Sequence, residues 1–72
     1  MFVNILVNDK TNRQKCYHSD DIDAIIYNGK KSITVRFKPG VYKHRTMGLT
    51  YSSEEIAKTI YNNIINQLQK SN

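Results

Sequence analysis

The sequence predicts a single α+β domain: a small antiparallel sheet of three to four strands in a meander, packed against one C-terminal amphipathic helix. Three observations carry this. Apolar and polar residues alternate along Phe2–Asn8 and again along 31–38, the two-residue period of a half-buried strand. Asn28-Gly29 and Pro39-Gly40 have the chemistry of tight turns. From Ser52 onward, apolar residues recur at helical spacing behind a capping pattern. With 72 residues there is length for one core, and a domain this small buries only about 60% of the surface its unfolded chain exposes.

Taken in order, the first strand covers 2–8, with Val3, Ile5 and Val7 on one side and Asn4 and Asn8 on the other. Residues 8–12 read as a turn, because short polar side chains bond their own backbone there. Residues 13–18 are open to a returning strand of poor pattern. The segment 19–29 has two readings. It is either a short helix capped by Ser19 and closed by Gly29, or a strand over 22–27 leading into an Asn28-Gly29 hairpin turn. Cross-strand pairing favours the strand. A two-residue turn sets Tyr27 against Lys30, Ala24 against Ile33 and Ile22 against Val35, with Ile26 and Phe37 on the same apolar face. The other face then sets Asp21 against Arg36 and Asp23 against Thr34, and leaves Ile25 and Tyr27 turned away from the helix.

The clearest strand is 31–38, with Ile33, Val35 and Phe37 inward. Pro39 and Gly40 turn the chain, and a return strand over 41–50 carries Tyr42 and His44, then Met47 and Leu49, inward. That shift of phase predicts a bulge near 45–48. The helix, about 53–69, opens on a capping box in which Ser52 accepts from the Glu55 amide, with Tyr51 and Ile56 placed as a hydrophobic staple. Ile56, Ala57, Ile60, Tyr61, Ile64, Ile65 and Leu68 fall on one half of its wheel. Amides and Lys58 take the other.

Charge is distributed unevenly. The net charge is +5, yet the acids sit only at Asp9, Asp20, Asp21, Asp23, Glu54 and Glu55. Between Ala24 and Ser53 there is no acid, while Lys30, Lys31, Arg36, Lys38, Lys43 and Arg45 all fall there. His44 lies in the same stretch. Basicity therefore belongs to the middle of the chain, and it favours a polyanionic partner. The candidate binding residues are Lys30, Lys31, Arg36, Lys38, Tyr42, Lys43, His44 and Arg45, set around a Pro-Gly turn. Arginine and lysine would follow a phosphate backbone and Tyr42 would stack on a base. The competing interpretation is a solvated sheet face whose lysines discourage edge-to-edge pairing.

The order of a small sheet followed by a helix resembles the sheet-reading DNA-binding modules of some integrase N-terminal domains, a likeness of architecture that covers no motif. A helix-turn-helix reading fits less well, since the helix begins on two glutamates where a recognition helix would meet phosphates.

Other chemistries find less support. Cys16 is the one cysteine, so no internal disulfide forms. Cys16 and His18 lie near Asp20 and Asp21, but a metal site takes about three or four ligands and the other histidine, His44, is distant. A Cys/His nucleophilic pair would also need an oxyanion site and a cleft, so Cys16 reads as half-buried and His18 as a surface residue. Asp20, Asp21 and Asp23 lack the spacing of a calcium loop. The expectation is a non-enzymatic binding protein without cofactor, metal or small-molecule substrate. Its partner would be a nucleic acid or, in a second reading, an acidic protein surface, and the protein itself a monomer or weak homodimer. The apolar N-terminal run is too short for the hydrophobic region of a signal peptide. No stretch approaches the roughly 20 apolar residues of a membrane span, so a cytoplasmic location with no membrane partner is expected.

Overall fold

The computed structural model describes residues 1–70. The antiparallel strands and the terminal helix are present as expected, but among the described residues the strands number five and divide between two sheets. Strands β1 (Phe2–Asn8) and β2 (Arg13–His18) form one hairpin. Strands β3 (Ile22–Tyr27), β4 (Ser32–Phe37) and β5 (Thr46–Thr50) form a meander, and helix α1 (Glu54–Lys70) closes the fold. The weakly patterned segment 13–18 is thus a full strand. It folds back because Asn8 Oδ1 accepts the Lys10 and Thr11 amides and Asn12 takes a left-handed φ of 55°.

Segment 22–27 is a strand, and the three residues before it make one turn of 3-10 helix, Ser19–Asp21. His18 caps that turn, its Nδ1 accepting the Asp20 amide. The register of β3 on β4 differs from the expected one. Asn28 takes no corner of the turn, because its amide group donates to Ser32 Oγ and Thr34 Oγ1 and its backbone N–H to the Ser32 carbonyl. The left-handed corners fall instead on Gly29 (φ 83°) and Lys30 (φ 56°), and Tyr27 donates its hydroxyl to the Lys30 carbonyl. Tyr27 therefore pairs with Ile33 and Ile25 with Val35. An odd slip reverses the faces of a strand. Ile25 and Tyr27 now pack on the core and Ile26 is exposed, the opposite of the expectation. A bulge between Ile22 and Ala24 then restores Ile22 to the inside.

The core draws on every layer: Val3 and Ile5 from β1, Ile33, Val35 and Phe37 from β4, Leu49 from β5, then Tyr51, Ala57 and Ile64. At about 1.5–3 kcal/mol for each large side chain fully buried, this cluster is the main stabilising term. The helix lies on the core as its periodicity predicts, with Ala57 and Ile64 buried and Ile56, Ile60, Tyr61 and Leu68 packed beside them. Its cap is one residue later than expected. Ser53 Oγ accepts the Ile56 amide, and the Ser52 N–H goes to the Asp9 carboxylate rather than to Glu55. Tyr51 is sunk in the core and its hydroxyl donates to the Leu6 carbonyl at 2.6 Å.

Candidate nucleic-acid interface

Pro39 and Gly40 form the expected turn. Gly40 has φ 81° and Val41 N–H reaches the Lys38 carbonyl. The return strand does not follow directly. Residues 41–45 form a loop, and pairing with β4 resumes only where Phe37 N–H meets the Arg45 carbonyl at 2.7 Å. From Thr46 to Thr50 the register is unbroken, so the bulge expected at 45–48 is absent. The cause is aromatic. Tyr42 folds back onto Phe37 with ring centroids 4.6 Å apart and meets Tyr17 of β2 edge-on at 5.9 Å. Tyr17 in turn lies 5.2 Å from Phe37 and donates its hydroxyl to Met47 Sδ at 3.2 Å. Three rings from separate segments thus replace the ladder bonds that a continuous strand would have made.

These residues line a cavity of about 350 Å³, bounded by Tyr17, Phe37, Tyr42, Lys43, His44, Thr46 and Met47. Its lining is mainly apolar, with Lys43 and His44 as its basic side chains. Tyr42 remains 41% exposed, enough to offer a ring face. Burial, followed by the neighbouring Tyr42 hydroxyl, pushes the Tyr17 phenol above its ordinary range, so it stays a protonated donor.

The structure splits the sequence-predicted set. Tyr42, Lys43 and His44 line the cavity, and Lys38 and Arg45 stand exposed in the same loop. Lys38 is tethered through its N–H to the Asp21 carbonyl. Arg36 alternates with Phe37 and so lies on the opposite face of β4, where its Nε donates to Asp23 Oδ2 at 3.0 Å. That pair replaces the expected Asp21–Arg36 match and offsets the charge of Arg36. Lys30 and Lys31 occupy the loop at the other end of β4, roughly 20 Å away at about 3.4 Å per residue. Sequence reasoning missed Tyr17, Phe37 and Met47 as parts of the site. Tyr17 sat in the one strand with a weak pattern, although its place two residues before the turn was a usable signal.

Cys16 is exposed rather than half-buried, and its thiol donates to Asn4 Oδ1. His18 is half-buried, stacked edge-on against Phe2 and 3.6 Å from Asp20 Oδ2. Among the described residues no group of three or more His, Cys, Asp or Glu side chains is placed to hold a metal ion. No helix among them is long and apolar enough to cross a membrane. A second cleft, about 380 Å³, runs between α1 and β1 and is lined mainly by amides: Asn4, Asn12, Gln14, Asn63 and Gln67 with Leu6 and Ile60. Across it Gln67 bonds the Asn4 backbone and Asn63 Oδ1.

The fold and site together define a small α+β domain presenting an aromatic cleft with a basic rim. No protein-family model, curated protein or solved structure matches the chain.

Proposed function

We propose that the chain is a non-enzymatic module that binds single-stranded nucleic acid through the loop 38–45. The observation that carries this is the exposed Tyr42 ring, held on Phe37 and Tyr17 and flanked by Lys38, Lys43 and Arg45 in an acid-free stretch. A ring fixed by other rings stacks on a base without further ordering cost, and adjacent cations take the flanking phosphates. Duplex reading by the sheet has less support, since Arg36 is paired with Asp23 and Lys30 and Lys31 lie at the far end of β4.

A second reading, an acidic protein segment, draws on the same apolar floor and basic rim. The two separate in one competition assay. A single-stranded oligonucleotide and the duplex of equal length are titrated against the protein, with polyglutamate as competitor. The proposal expects the single strand to bind more tightly than the duplex, with quenching of tyrosine fluorescence that disappears in Tyr42→Ala. Equal affinity for polyglutamate and single strand, unaffected by Tyr42→Ala, supports the protein-surface reading instead.

A further inference from the structure

We infer that β5 is a homodimer seam, pairing antiparallel with β5 of a second copy of this chain about Gly48. The meander leaves β5 at a sheet edge. Its ladder bonds to β4 are flanked by Phe37–Arg45 at one end and Lys31–Tyr51 at the other. In an antiparallel pair, alternate residues bond inward and the ones between face out. Met47 and Leu49 therefore bond to β4, while the N–H and C=O groups of Thr46, Gly48 and Thr50 face the open side. All three residues are exposed.

The other edges are protected. The outer edge of β1 is occupied by Gln67, which bonds Asn4, and by the Tyr51 hydroxyl on Leu6. Strand β2 carries Arg13 and Lys15, and β3 carries Asp23, while its Tyr27 ring lies against Tyr61 of α1. Charges on edges discourage pairing. Among the described residues β5 carries no charged side chain, and although β1 approaches it, Thr46, Gly48 and Thr50 stay exposed.

Its occupant follows from the sequence Thr46-Met47-Gly48-Leu49-Thr50, which matches itself when reversed in residue size and polarity. Antiparallel pairing about Gly48 sets Thr46 of one copy against Thr50 of the other, and Gly48 against Gly48, each pair exchanging both of its bonds. Threonine opposite threonine is a favourable cross-strand match, and the missing Cβ at Gly48 lets the backbones meet at the axis. The same arrangement brings the end of β5 preceded by Lys43, His44 and Arg45 beside the end of the second copy that leads into Glu54 and Glu55. The charges there are complementary. The two meanders become one continuous sheet, with an aromatic cleft toward each end of the seam.

Sedimentation equilibrium of the full chain tests this without any oligonucleotide, and so independently of the nucleic-acid reading. A monomer–dimer equilibrium is expected within about 1 µM to 1 mM. Gly48→Pro should leave a folded monomer, because the N–H it removes faces outward and an added Cβ meets nothing within 4 Å. The double variant Thr46→Lys/Thr50→Lys should also be monomeric. Mixed with Thr46→Glu/Thr50→Glu it should form a one-to-one heterodimer, which tests the register itself. Should Gly48→Pro not fold, the paired variants decide the matter. A monomer throughout that range overturns the inference, as does a lysine variant that dimerises as the wild type does.

Discussion

The side-chain amide of Gln67 bonds both backbone groups of Asn4: Oε1 accepts the Asn4 N–H at 2.9 Å and Nε2 donates to the Asn4 carbonyl at 2.9 Å. An amide carries a donor and an acceptor spaced like those of a peptide, so Gln67 stands in for a neighbouring strand along the β1 edge. Its remaining N–H goes to Asn63 Oδ1 at 2.7 Å, one helical turn away, which fixes its rotamer. The helix is therefore joined to the β1 edge by directed bonds as well as by apolar packing.

Replacing Gln67 by Ala should lower stability by about 0.5–1.5 kcal/mol, the net value of directed bonds whose backbone groups water can reach once the amide is gone. Gln67→Glu keeps the shape but offers no donor, and should recover little of that loss. Urea unfolding followed by far-UV circular dichroism measures both.

Tyr51→Phe removes one hydroxyl from the core. Burial pushes this phenol up to about 12 from 10.0, and Asp9 adds to the shift. A folded-state pKa raised above the unfolded value gives stability that is complete below pH 10 and fades as pH rises through about 12. The variant should therefore be less stable at neutral pH, by about 1–2 kcal/mol for the missing bond to Leu6. The gap from wild type should narrow in strongly alkaline buffer. Denaturant midpoints measured from pH 7 to 12 check the sign.

At the start of the helix the shift runs the other way. The bond from Ser52 holds the Asp9 carboxyl below its ordinary 3.8, and Lys10 contributes. A depressed folded pKa gives stability that is present above 3.8 and lost as pH falls through the lower folded value. Asp9→Ala should accordingly be less stable than wild type at pH 7, and the two should converge in acid. An acid titration followed by circular dichroism reads this directly.

How far the sequence reveals this molecule depends on the distance between interacting residues. Helix α1 was legible because Ile56, Ile60 and Ile64 repeat within one segment and need no outside partner to declare a face. Strand β2 was obscure because 13–16 are all exposed, so no apolar alternation marks them. The β3–β4 register turned on Asn28, which looked like a turn residue but spends its side chain on Ser32 and Thr34. The acid-free run marked Lys38, Lys43 and Arg45 but equally Lys30, Lys31 and Arg36, which the fold carries elsewhere. The aromatic floor of the site was not legible, since Tyr17, Phe37 and Met47 meet only after both sheets have folded.

The proposed role of the loop 38–45 is tested most directly by the salt dependence of single-strand affinity. The measurement is fluorescence anisotropy of a labelled oligonucleotide with wild type, Tyr42→Ala and Lys43→Ala/Arg45→Ala. For wild type, log K should fall linearly with log salt. The double variant should flatten the slope by about 1.4, or about 0.7 for each phosphate no longer neutralised. Tyr42→Ala should weaken binding about 5- to 150-fold at an unchanged slope, as expected when one base no longer stacks on a ring. Absence of binding at about 50 mM salt, or variants that match wild type in both affinity and slope, would contradict the proposal.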